Sequence, residues 1–160
     1  MVPAGEWLFP SRGEANVTRN RAQSSLTRDG SPNTLLVDTC VLVDHLRGFE
    51  PAREWLSRTA PCMDVRLTYS VITLAELLAG LTDESSRGSV EELLSLFEPI
   101  TVTETAARRA GDYMRQWRQS HGMAMPDALI AASARENGAT LVTRDKAHFP
   151  MTDIAVVIPY

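Results

Sequence analysis

The chain has little of what many specialised sites are built from. Its 160 residues hold two cysteines, Cys40 and Cys62, which lack the C-x-x-C spacing of zinc and redox sites. Two reduced, buried thiols are the expectation. No apolar run reaches the ~18 residues of a membrane span. The opening MVPAGEWLFPSR is broken by Pro, Gly and charge where a secretory leader needs an apolar stretch. We therefore expect a cytoplasmic protein with no membrane contact. Positive charge is not in excess either. A net charge of -4 and a pI near 5.4 exclude nucleic-acid binding through bulk positive charge, though not docking on a local basic patch. Internal repeats and low-complexity segments are also missing.

What is present suffices for one core, since 44% of the residues are hydrophobic. Residues 1–33 stand apart, rich in Ser, Asn, Gly, Pro and Arg and without periodicity. That composition predicts a disordered extension, or a translation start placed too far upstream. Arg12, Arg19, Arg21 and Arg28 would make it a basic arm.

From Thr34 onward, short apolar runs alternate with amphipathic stretches. Strands are expected at TLLVDT (34–39), RLTYS (66–70), PITVT (99–103), TLVTRD (140–145) and AVVIP (155–159). Helices are expected at 40–47, from Pro51 through Ser57, and over 73–81, 89–97, 104–120 and 126–137. Gly138 serves as a left-handed cap. This alternation predicts an α/β fold with a mainly parallel sheet of about five strands and helices on both faces. The strands are apolar throughout, as double-sided burial requires.

In such a sheet, ligands bind beyond the carboxyl ends of the strands. Asp38 and Asp145 fall there, with Thr39 and Thr143 beside them. An extended 143–145 segment would put Thr143 and Asp145 on one face. Glu76 lies about 200° around its helix from Leu74, off the stripe of Leu74, Leu77, Leu78 and Leu81. Thr73-x-x-Glu76 also reads as a capping box. Asp127 follows Pro126 at a helix start, where the macrodipole alone favours an acid. Asp44 has no comparable partner and reads as solvated or structural. His121 and His148 read as surface or packing residues. Two acids end strands and two begin helices at the same sheet edge. Four converging carboxylates would repel one another, and a hard divalent cation would relieve that.

With these residues in view, the sequence resembles the PIN-domain family of metal-dependent ribonucleases and, within it, the toxins of VapBC-type toxin–antitoxin pairs. The resemblance rests on LLVDTCVLVDHLRG, SVITLAELLAGL and MPDALIAASARENGATLVTRDKAHF, and it spans 34–159. It implies a PIN-like three-layer α/β/α domain over 34–160. It also implies an acidic quartet of Asp38, Glu76, Asp127 and Asp145 that binds metal and carries catalysis, supported by Thr39 and Thr143. Cys40 departs from the small hydroxyl residue many relatives carry, and the N-terminal extension has no counterpart in the family pattern.

The resemblance further implies hydrolysis of RNA phosphodiester bonds with Mg²⁺, or Mn²⁺ in its place, a cognate antitoxin as partner, and a homodimer. RNA reaching an acidic site needs flanking cations, for which Arg108, Arg115, Arg118, Arg144 and Lys146 are candidates. Glu104 and Asp112 offer Arg108 intrahelical pairs instead. The alternatives are a catalytically silent PIN scaffold that binds RNA or a partner, and a phosphoacceptor receiver domain. The latter would need a lysine near the last strand, and AVVIPY has none.

Overall fold

The computed structural model describes residues 33–81, 83 and 85–160. The expected N-terminal extension and its arginines lie outside the described residues, except for Asn33, which opens the first strand.

Five parallel strands form one sheet: β1 (Asn33–Val37), β2 (Val65–Ser70), β3 (Glu98–Ile100), β4 (Thr140–Val142) and β5 (Val156–Val157), in the order β3-β2-β1-β4-β5. The chain first builds outward from β1 to β3, then crosses back to place β4 on the other side of β1. That reversal is the topological switch point, where open parallel sheets bind ligands. The register pairs Leu36 with Leu141 and Val37 with Val142.

Alternation along the strands divides the core into two layers. Leu36 and Leu141 point to one face, packing against Ala106, Ala110 and Tyr113 of α5 (Glu104–His121) and Ala128, Ile130 and Ala131 of α6 (Met125–Glu136). Val37 and Val142 point to the other face. There they meet α1 (Thr39–Leu46), α2 (Glu50–Thr59), α3 (Val71–Ala79) and α4 (Ser85–Leu94) through Val41, Leu56, Leu77 and Val90. The expected three-layer α/β/α arrangement is the one observed. Among the described residues, no helix is long and apolar enough to cross a membrane.

Several boundaries differ from the sequence reading, each for a local reason. α3 begins at Val71 because Ser70 caps it, accepting a hydrogen bond from the Ile72 N–H. α4 begins four residues before the expected 89, and Asp83 accepts from the Ser86 N–H at 2.8 Å. β4 stops at Val142, short of the expected 145. Cys62 is exposed rather than buried and Cys40 half-buried, and both thiols are free. The end of α6 follows expectation. Gly138 has φ +60, its N–H bonds the Arg135 carbonyl, and the Ala139 N–H bonds the Ala134 carbonyl, a Schellman closure.

A Cβ on Gly138 would meet nothing within 4 Å, so Gly138→Ala tests backbone strain alone and should cost about 1 kcal/mol. Leu141 is fully buried between the layers, and Leu141→Ala should cost roughly 2–5 kcal/mol. Chemical denaturation would rank the two; equal losses would contradict this division between strain and packing.

Candidate functional site

Asp38 follows β1 directly and caps α1 with extended backbone (φ -72, ψ 153). The residue is only 6% exposed, so its carboxylate requires donors. Oδ1 accepts the Thr39 N–H at 2.8 Å, and Oδ2 accepts the Thr143 hydroxyl at 2.7 Å and the Cys40 thiol at 3.2 Å. The parallel register explains the Thr143 contact. Val37 and Val142 are paired neighbours, and the Asp38 N–H bonds the Val142 carbonyl, so the residues that follow each stand side by side.

Thr143 is fully buried, and its hydroxyl also accepts the Asp145 N–H at 3.0 Å. This bond turns the chain. Asp145 therefore reaches the site through a turn (φ -105, ψ 66), not along the extended face that the 143–145 spacing suggested. It precedes a short 3-10 turn at Lys146–His148, and its Oδ2 lies 3.2 Å from His148 Nδ1.

Glu76 comes from the middle of α3. The Thr39 hydroxyl hydrogen-bonds its Oε2, and Thr39 Oγ1 lies 3.2 Å from Thr73 Oγ1. The Thr73–Glu76 capping box does not form, because Ser70 already caps the helix and Thr73 is fully buried facing Thr39. Asp127 does double duty. Its Oδ2 accepts the Ala124 N–H at 3.0 Å, which anchors the start of α6, and the side chain also lines the acidic cavity. Burial raises its pKa above the ordinary 3.8. The Ala124 hydrogen bond opposes the rise, while the charges of Asp38 and Asp145 add to it.

One cavity of about 350 Å³ collects Asp38, Thr39, Glu76, Asp127 and Asp145 at the carboxyl edge of the switch point. Cys40, Asp44, Arg47, Arg144 and His148 also line it. The donor set is all oxygen at its acidic face, which fits a hard divalent cation. Among the described residues, no three His, Cys, Asp or Glu side chains stand close enough to hold an ion by themselves. Magnesium tolerates that arrangement, because it keeps several waters and binds through one or two carboxylates.

The basic candidates separate. Arg144 lines the cavity and pairs with Asp44 through Nε at 2.8 Å. Asp44, read from sequence as lacking a partner, is buried and also accepts the Tyr160 hydroxyl at 2.9 Å. Arg108, Arg115 and Arg118 are not among the cavity's lining residues; Arg108 pairs with Glu104 and Arg115 with Asp112 on α5 itself. Lys146 is exposed and is not a lining residue either. His121 packs edge-on against Trp117, as a surface histidine would. Sequence reasoning did not place several lining residues at the site, among them Asp44, Arg47 and His148. His148 sits three residues after Asp145, a spacing that one 3-10 turn brings together. Arg47 ends α1 one turn beyond Asp44, a position that became significant only once Asp44 was seen to face the cavity.

Residues 35–154 match the family model of the PIN domain. The chain is 43% identical over 118 residues to Ribonuclease VapC10 of Mycobacterium tuberculosis, covering 73% of this chain and 86% of that protein. It is 40% identical over 117 residues to Ribonuclease VapC19 of the same organism, covering 72% and 92%. Among solved structures, a toxin–antitoxin complex from Klebsiella pneumoniae matches with a TM-score of 0.63 at 28% identity, covering 79% of this chain and 98% of that one. All four acids fall inside the matched span. The chain belongs to the PIN-domain family, alongside its VapC ribonucleases.

Proposed function

We propose that the chain is a divalent-metal-dependent endoribonuclease that hydrolyses RNA phosphodiester bonds and acts as the toxin of a toxin–antitoxin pair. Asp38, Glu76, Asp127 and Asp145 are its catalytic, metal-binding acids. The observation that carries this reading is the gathering of four carboxylates from four separate segments into one cavity beyond the switch point. The ribonuclease names of its relatives and the toxin–antitoxin complex among its structural neighbours support the activity and the pairing. A cytoplasmic location, a cognate antitoxin and a homodimer belong to the same proposal.

Bound Mg²⁺, or Mn²⁺ in its place, would neutralise charge at the scissile phosphate and acidify a water. The chain's own residues supply position and proton affinity. Thr143, Cys40 and the Thr39 N–H fix both oxygens of Asp38, so this carboxylate is oriented before any ligand arrives. Thr39 fixes Glu76 in the same way. Asp127, with its raised proton affinity, can take a proton from a neighbouring water. Arg144, on the rim, offers a cation to the RNA backbone.

The wide spacing of the acids also favours a second reading, a catalytically silent PIN scaffold that binds RNA or a partner. RNA cleavage in Mg²⁺ or Mn²⁺ separates the two. Under the enzyme reading, Asp38→Asn lowers the cleavage rate by at least about 100-fold. Thr143→Val keeps the ligands but frees Asp38, and should cost about 10- to 100-fold. A wild type that cuts no RNA with either metal would leave only the scaffold.

The raised pKa of Asp127 sets the sign of a stability effect. Between its ordinary 3.8 and its folded value the native state holds the extra proton, so stability from this group falls as pH rises through that window. In EDTA, Asp127→Asn should therefore match the wild type below about pH 4 and become equally or more stable above it, since an amide oxygen still accepts the Ala124 N–H. With Mg²⁺ added, the same variant should show a smaller rise in melting temperature than the wild type, because binding to the folded state is what stabilises it. Denaturation midpoints across that pH range check the sign, and a metal-free variant clearly weaker at neutral pH would mean that Asp127 serves only to start α6.

A further inference from the structure

A second cavity, of about 410 Å³, opens beside the acidic one and is lined by Asp44, Arg47, Gly48, Phe49 and Arg144. Asp44, Arg47 and Arg144 line both cavities. We propose that this second cavity is a nucleotide subsite that takes the phosphate and base adjoining the bond being cut. The inference rests on the ribonuclease reading and adds to it the residues that hold the substrate's neighbouring nucleotide.

The lining has the chemistry of a nucleotide. Planar guanidinium groups match phosphate oxygens two at a time. Arg47 is exposed, and among the described residues its side chain has no hydrogen-bonding or ion-pair partner. Arg144 is held in place by Asp44, whose charge is shared with the Tyr160 hydroxyl, so the one acid in the cavity is already engaged. Phe49 is 45% exposed and meets Tyr160 edge-on, with ring centroids 5.7 Å apart at 61°. That contact holds the ring by its edge and suits a stacking platform for a base. Gly48, at φ +79, makes the turn that sets Arg47 and Phe49 around one opening, a conformation glycine adopts without strain. The cavity volume is at the low end for small-molecule pockets, the size of a single nucleotide rather than a folded segment. Two arginines and one exposed ring line the same opening. No arginine of α5 lines this cavity, and Arg108 and Arg115 are paired on their own helix.

The test uses the full chain in Mg²⁺ and a fluorescein-labelled single-stranded RNA of about 12 nucleotides. Cleavage of that RNA by the wild type is measured first. Binding is then followed by anisotropy in the Asp38→Asn background, where the RNA survives. Arg47→Ala and Phe49→Ala, each added to Asp38→Asn, should weaken binding about tenfold. Arg47→Ala should also lower the slope of log Kd against log salt by about 0.7, the value of one phosphate contact on a single strand, while Phe49→Ala leaves the slope unchanged. Phe49→Trp should retain affinity. If the wild type cuts and Asp38→Asn binds, but both added substitutions bind as Asp38→Asn does, the subsite is wrong and the ribonuclease reading stands. If the substitutions spare RNA binding and instead release a co-expressed partner protein, the cavity is a protein pocket and the proposal falls. If the wild type does not cut and Asp38→Asn does not bind, both readings fall together.

Discussion

A carboxylate this deeply buried is tolerated only where hydrogen-bond donors replace the lost water, and Asp38 is the residue around which the rest of the site is arranged. An uncompensated buried charge costs several kcal/mol. Asp38 is compensated by donors from three places: the backbone of α1, the thiol of Cys40 and the hydroxyl beyond β4. The last contact exists because β1 and β4 are neighbours in the sheet, although more than a hundred residues separate them. The crossing through α5 and α6 that brings β4 back to β1 is therefore also what makes the Asp38 position chemically possible. Thr39 extends the arrangement to α3 through Glu76. Two hydroxyls thus join β1, β4, α1 and α3 through two carboxylates, Asp38 and Glu76.

The energetic support for this polar centre lies elsewhere. The visible ion pairs of α5, Glu104–Arg108 and Asp112–Arg115, are well exposed, and pairs of that kind contribute little. The layers on either face of the sheet supply the stability, with Leu36, Val37, Leu141 and Val142 at 0% exposure between them. Arg144–Asp44 differs from the α5 pairs. The Asp44 side chain is 12% exposed and is shared with Tyr160, so this pair ties the end of the chain to α1. Burial, together with its hydrogen bond to Asp44, also pushes the Tyr160 hydroxyl pKa well up, keeping it a donor.

Much of this was readable from residues alone, and the misses share a cause. The strands were legible because parallel burial demands unbroken apolar runs, and LLV and TLV have no other use in a chain this short. Gly138 was legible because few residues adopt φ +60 without cost. Asp38 and Asp127 could be placed by their positions beside apolar runs and at helix starts. Contacts that depend on side-chain direction across the sheet were not legible. Thr73 looked like a cap until Ser70 took that role. Asp145 looked collinear with Thr143 until the Thr143 hydroxyl turned the chain. Asp44 and Arg47 sit on a helix whose orientation only the packed α1–α2 pair determines, so no spacing rule could assign them to the cavity. The stripe argument for Glu76 succeeded because Leu74, Leu77 and Leu81 do pack into one core layer, while Leu78 belongs to neither.

Repulsion among the acids does not need an ion as its sole relief. Asp38 caps α1, and Asp127 lies in the first turn of α6, so two of the four carboxylates face the positive ends of helix dipoles. Each also accepts a backbone N–H, a bond that favours the charged form. The protein therefore places two of the four acids where each would be stable alone. What it adds is convergence, and the raised proton affinity of Asp127 marks where the local compensation ends. There burial outweighs the Ala124 N–H. Under the proposed function, that residual imbalance, rather than the mere count of acids, is what a divalent guest would relieve. The same geometry makes the helix-start contact compatible with the metal-binding role proposed for Asp127: the helix start holds the carboxylate in place, and the neighbouring acids leave its charge only partly answered.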